Sequence, residues 1–277
     1  MKKLFTLSLI CFLALNMAQA QKFYARIGLG GGISTSSSFD MLYKYENDGT
    51  SKTISVVPVG LGTGFNGSVS FGYMFSKYIG IDLTVGEFIG LPTTGDSVVH
   101  LMGGTQANIK LVGYLFSITP GVVISAGLDK VNPYARFGLQ IGALPIMLAR
   151  YSSENASVNP PATTELTNGY YGGVALGYMA TGGCEFNLNK LINLFAEVTF
   201  AHSTWSPSYS EIIEYTVNGQ DKLSTLTVHQ KKTDFLDKIR VNSTTADNTP
   251  KQALRKTVPF STASVNFGIK FKFGRSK

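Results

Sequence analysis

Alternation of apolar and polar residues is the dominant pattern of the chain. Near its end, Val265, Phe267, Ile269, Phe271 and Phe273 alternate with Asn266, Gly268, Lys270 and Lys272. This period of two predicts a β-strand with one apolar face. Residues 192–202 repeat it, with Ile192, Leu194, Ala196, Val198 and Phe200 opposite Asn193, Phe195, Glu197, Thr199 and Ala201. Residues 134–143 set Ala135, Phe137, Leu139 and Ile141 against Tyr134, Arg136, Gly138, Gln140 and Gly142. Residues 23–31, 66–75, 79–90 and 171–186 alternate in the same way. Residues 110–124 are less regular: Val112, Tyr114, Phe116 and Ile118 are expected outside, Leu111 and Leu115 break the pattern, and Pro120 predicts a bulge or an edge.

These eight segments approach the roughly 9–11 residues that a tilted strand needs to cross a bilayer. The face opposite the apolar one carries Gly, Ser, Gln, Asn and charge, whereas a soluble sandwich turns large apolar side chains inward. A bilayer satisfies backbone polar groups only in helices or closed sheets. The pattern therefore predicts an all-β fold, an eight-stranded antiparallel up-and-down transmembrane β-barrel. The connections 34–65, 76–78, 91–109, 125–133, 149–170, 187–191 and 203–260 alternate long and short. That asymmetry predicts short periplasmic turns, long extracellular loops and both termini in the periplasm.

Two loops contain further strand signals. Asn47-Asp48-Gly49 lies between 41–46 and 53–57, and Asn218-Gly219 lies between Ile213, Tyr215, Val217 and the segment 223–228. Both read as hairpins with tight turns, projecting above the membrane. Were 212–228 to join the wall, the barrel would have ten strands and a small pore; its short polar arms favour eight.

The amino terminus adds a compartment. Met1-Lys2-Lys3, an apolar stretch 4–17 and Ala18-Gln19-Ala20 have the form of a cleaved signal peptide, residues 1–20, leaving a single domain over 21–277. Ile10 before Cys11 disfavours lipidation. Cleavage removes two lysines from a formal charge of +7 and leaves Cys184 alone, so no intrachain disulfide is expected. The charge by itself does not point to nucleic acid, because 12% aromatic residues and 30 glycines equally fit a membrane β-protein.

The eight strands, Pro133-Tyr134-Ala135-Arg136-Phe137-Gly138, the run Phe186-Asn187-Leu188-Asn189-Lys190 leading into Leu194-Phe195-Ala196-Glu197, and the aromatic-ended last strand make the chain resemble the small OmpA/OmpX-type outer-membrane β-barrels. The resemblance covers residues 22–273. It departs in the residues after Phe273 and in the length of the last loop. It implies an outer-membrane protein of structural or surface-interaction type, surrounded by lipid and lipopolysaccharide. An extracellular ligand or protein would bind its loops, and the barrel would be a monomer without a cofactor.

The inward charges Arg26, Asp82, Arg136, Glu185, Glu197, Lys270 and Lys272 fall near the periplasmic strand ends and are expected to form one layer. An eight-stranded interior is only wide enough for side chains, and unpaired charge there is costly. Strand adjacency predicts Arg136 with Glu185 and Lys270 with Glu197. Tyr24, Met74, Met179 and Phe195 are expected to help fill the interior. Phe23, Phe75, Tyr78, Tyr134 and Phe186 read as one interfacial girdle, and Phe88, Tyr151, Tyr170, Tyr171, Trp205 and Phe260 as the other.

For loop binding the candidates are Trp205, Tyr209, Tyr215, Lys231 and Lys232. Trp205 to Tyr209 is also considered as a carbohydrate platform. His202 and Ser203, near Glu197, raise the alternative of a lipid A-modifying enzyme, since some small barrels use His and Ser at the rim. A narrow solute channel is the other alternative. Gly62-Thr63-Gly64-Phe65-Asn66-Gly67 matches a dinucleotide fingerprint, but the alternating 68–75 follows where a helix is required. His100, His202 and His229 lack metal-ligand spacing.

Overall fold

The computed structural model describes residues 22–35, 43–47, 52–56, 60–94, 99–101, 105–155, 161–239 and 247–273. The signal peptide expected over 1–20 lies outside the described residues. Eight strands form the wall: β1 (Lys22–Ser34), β2 (Gly64–Met74), β3 (Ile79–Gly90), β4 (Thr105–Ser125), β5 (Val131–Asn155), β6 (Ala175–Asn187), β7 (Ile192–Trp205) and β8 (Val258–Phe273). Each pairs antiparallel with its chain neighbour, and β8 pairs with β1 from Phe23↔Phe273 to Ser34↔Thr262. The ring is closed, so its wall has no unpaired edge.

Side-chain facing follows the alternation. Phe71, Phe137, Leu139, Phe200 and Phe267 are exposed on the outer surface, while Tyr24, Arg26, Ser70, Asp82 and Thr84 are buried inside. Glycines sit where inward rings fold over the neighbouring strand. A methyl on Gly72 would overlap the Tyr24 ring, and one on Gly268 would meet Phe195. Among the described turns, those at the terminal end are short and internally bonded: Asn189 Oδ1 accepts from the backbone N–H groups of Leu191 and Ile192, both at 2.8 Å.

β5 changes facing partway along. Even-numbered residues point inward from Tyr134 to Gly142, then odd-numbered Pro145, Met147 and Ala149 are buried. The β4–β5 register shifts by one between Tyr114 and Phe116, and Leu144 takes a left-handed φ of 52°. One extra residue in a bulged strand reverses every later side chain. Pro120 keeps its place opposite Leu83, although the ladder to β5 omits residues 119–120; an imide nitrogen cannot donate there. Leu111 and Leu115 are the inward residues of β4, not faults in the pattern.

The connections at the distal end are more ordered than expected. The segment 149–170 is not a single loop: β5 continues to Asn155, and strand Ala162–Tyr171 returns beside it. Gly172 and Gly173, with φ of 77° and 76°, separate that strand from β6. Tyr209–Val217 pairs with Ala162–Tyr171, then with Lys232–Leu236, which pairs in parallel with Lys251–Leu254. The expected turn at Asn218-Gly219 is present, with φ of 51° and 74°. Its second arm is only Gln220–Asp221, followed by a 3-10 turn, Leu223–Thr225, and the short helix Val228–Lys231 in place of a strand. Tyr43–Asn47 and Lys52–Val56 form the other hairpin.

Val198 is exposed and Thr199 is buried against Asn266 and Thr181. Val198→Arg should weaken folding into lipid vesicles by about 2–4 kcal/mol. Thr199→Ser keeps its hydroxyl and should cost under about 1 kcal/mol. Urea titrations of both variants check this facing, and equal losses would contradict it.

Candidate functional site

The interior is divided into three layers. Nearest the terminal end, three cations and three carboxylates interlock. Arg26 Nη2 donates to Glu197 Oε2 and to the Tyr134 hydroxyl, both at 2.6 Å, and the Tyr134 hydroxyl donates to Glu197 Oε2 at 2.6 Å. The Arg26 guanidinium also lies 4.0 Å from the centre of the Phe195 ring, a favourable cation–π contact. Arg136 Nε donates to Asp82 Oδ2 at 2.8 Å, its Nη2 donates to Ser70 and Thr84, and its Nη1 is 3.8 Å from Glu197. Lys270 Nζ reaches Glu185 Oε1 at 2.8 Å, and Asn193 holds the other carboxylate oxygen at 3.0 Å.

All six charged side chains are buried, with residues at most 7% exposed. Formal neutrality and multiple hydrogen bonds offset the desolvation that burial imposes. The pairing differs from the adjacency expected from sequence: Lys270 takes Glu185, Glu197 takes Arg26, and Arg136 takes Asp82. Each pair joins strands two apart in the ring, a gap that long inward side chains span where the wall curves this tightly. Lys272 stands apart from the layer, half-buried, with Nζ 3.2 Å from Asn187 Oδ1.

Above the charges lies a cavity of about 80 Å³, lined by hydroxyl and amide groups including Ser68, Ser117, Thr119, Thr199, Asn66 and Gln140. The distal mouth is then filled by apolar side chains. Leu61, Leu111, Leu115, Met147, Trp205, Val258 and Phe260 form one buried cluster with Ile109, Tyr170 and Phe235, and Phe88 and Tyr151 pack against it. Trp205 is 0% exposed, and its indole N–H donates to the Gly172 carbonyl at 2.7 Å. Tyr170 stacks on Phe235 with ring centres 6.0 Å apart, and burial pushes its hydroxyl pKa up.

This plug corrects the aromatic girdle expected at the distal end, since Phe88, Tyr151, Tyr170, Trp205 and Phe260 point inward. Tyr134, expected in the other girdle, is likewise buried, whereas Phe23, Tyr78 and Phe186 are exposed. Girdle and plug look alike in sequence because both are aromatics at strand ends, and only facing separates them. Leu111 and Leu115 carried the missed signal, as apolar residues on the polar side of a strand. Within the interior filling, Tyr24 and Phe195 are buried and Met74 and Met179 half-buried.

Of the loop candidates, Trp205 is corrected from surface to interior. Tyr209 is exposed and packs on Tyr171 at 5.5 Å between ring centres. Lys231 and Lys232 both contact Glu211, at 3.3 and 3.5 Å. Tyr215 lines an external groove of about 690 Å³ with Asn108, Lys110, Arg150, Glu165 and Glu214; sequence reading missed this groove because its residues come from four separate strands. His202 and Ser203 project to opposite faces of β7, as neighbours in a strand do. His202 Nδ1 lies 2.6 Å from Ser261 Oγ, and Ser203 bonds the Phe260 carbonyl. The glycine-rich 62–67 leads into β2, not into a helix.

Glu185→Leu leaves Lys270 buried without its carboxylate and should destabilise the barrel by about 3–5 kcal/mol. Adding Lys270→Met should restore most of that loss, as read from urea unfolding in detergent micelles.

A model of a family described as outer membrane protein β-barrel domain matches residues 4–209. No curated protein matches the chain. Among solved structures, the outer membrane protein OprG from Pseudomonas aeruginosa is similar at 15% identity and a TM-score of 0.44, over 92% of this chain and 97% of OprG. Ail, the attachment invasion locus protein of Yersinia pestis, is similar at 10% identity and a TM-score of 0.34, over 92% of this chain and 100% of Ail. Neisserial surface protein A is similar at 11% identity and a TM-score of 0.33, over 91% of this chain and 97% of that protein.

Proposed function

The chain belongs to the outer membrane protein β-barrel domain family, and on that premise we propose that it is a non-conducting barrel acting through its extracellular surface. The observation that carries this reading is the double closure of the interior. A neutral layer of buried charge fills the terminal end, and a cluster around Leu111, Met147, Trp205 and Phe260 fills the distal end. A solute would have to break ion pairs at one level and displace packed aromatics at the other. Both termini of the wall share the end with short turns, which supports a periplasmic position for them and an extracellular one for the strands 162–171, 209–217, 232–236 and 251–254.

In this reading the wall is embedded as a monomer among lipid and lipopolysaccharide. The extracellular sheet meets a ligand or protein outside the cell. The reaction class raised by His202 and Ser203 is not proposed, because the two side chains do not share a face.

Planar-bilayer recordings of the intact protein should give no steady, large single-channel current, and such a current would favour the narrow-channel reading. Replacing 207–256 with a short Gly/Ser linker should leave the wall folded, as read by circular dichroism and heat-dependent gel mobility, while removing surface binding. Loss of the fold would instead make this segment part of the wall.

A further inference from the structure

The external groove holds two cations in an unfavourable arrangement. Lys110 of β4 and Arg150 of β5 are directly opposite in the antiparallel ladder, and both are exposed. Like charges in that position repel. Neither is within ion-pair distance of a carboxylate among the described residues. Their neighbours Ile109, Leu111 and Ala149 are buried in the plug, so alternation turns Lys110 and Arg150 to the opposite side of the sheet.

The same row continues across two more strands. Arg150 pairs with Thr167, and Thr167 with Glu214. The Thr167 hydroxyl donates to Glu214 Oε2 at 2.6 Å, holding that carboxylate at the far end of the row. One step outward, Asn108, Ser152, Glu165 and Thr216 form a second, uncharged-to-acidic row. Tyr151 and Tyr215 also line the groove.

We infer that this groove binds a saccharide carrying one anionic group, with the anion between Lys110 and Arg150. Charge-assisted bonds to both cations would relieve their mutual repulsion. Glu165, Glu214 and Asn108 accept hydrogen bonds from sugar hydroxyls. The carboxylates repel a second anionic group within the groove, so the site takes one anionic sugar residue at a time. The inference rests on the reading of the distal end as extracellular. The sugar then comes from the membrane's own glycolipid or from outside the cell.

The test is calorimetric titration of the full-length barrel in detergent with a disaccharide ending in glucuronate and with its neutral counterpart ending in glucose. In parallel, native mass spectrometry reads lipopolysaccharide retained from the membrane. The anionic disaccharide should bind about tenfold or more tightly than the neutral one at low salt, and the preference should shrink as salt rises. Lys110→Gln with Arg150→Gln should abolish it while heat-dependent mobility stays unchanged. Loss of lipopolysaccharide retention in that variant, without binding of the free disaccharide, would assign the sugar to the membrane. Equal binding of both disaccharides, or no change in either readout in the folded variant, overturns the proposal. Protease cleavage within 207–239 on intact cells tests the extracellular placement separately.

Discussion

Closure of the backbone hydrogen-bond ring is the constraint on which the rest of the molecule depends. In lipid an unpaired N–H or C=O costs several kcal/mol, and the β8–β1 ladder removes the last free edge of the wall. Closing a sheet with only eight strands leaves an interior no wider than its side chains. Everything inside must therefore fit and be satisfied there. The glycines against Tyr24 and Phe195 make room for rings, and the six buried charges reach neutrality through partners two strands away.

The two ends of the interior solve this packing problem with different chemistry. At the terminal end, Arg26, Asp82, Arg136, Glu185, Glu197 and Lys270 hold one another through hydrogen bonds that each join strands two apart in the ring. At the distal end the filling is apolar. Part of it comes from outside the wall, since Tyr170 and Phe235 belong to the strands Ala162–Tyr171 and Lys232–Leu236. That arrangement couples the surface to the interior: the strands that project beyond the wall also cap the barrel. The bulge at Leu144 makes this possible, because reversing β5 turns Met147 and Ala149 into the plug and Arg150 to the external groove.

The wall was legible in the sequence because lipid on one side and a narrow lumen on the other impose strict alternation. Eight strands, their facing and the outer-membrane placement follow from it. The ion-pair partners were not legible, since they depend on which side chains meet within the lumen and not on strand adjacency. Trp205 and Phe260 were misread for a related reason: composition marks an aromatic strand end, but facing decides between girdle and plug. The pairing of Ala162–Tyr171 with Tyr209–Val217 was hidden because polar strands beyond the wall lose the alternation that a buried or lipid-facing side enforces.

The closed interior is tested most directly by thiol accessibility. With Cys184 replaced by Ser, cysteine is placed at Thr84 or at Thr199, both buried inside the wall, and a charged, membrane-impermeant thiol reagent is applied in turn from each side of protein reconstituted in vesicles. The account predicts that neither position reacts from either side while the barrel stays folded. Ready labelling of Thr84→Cys or Thr199→Cys would show an open aqueous path and contradict it.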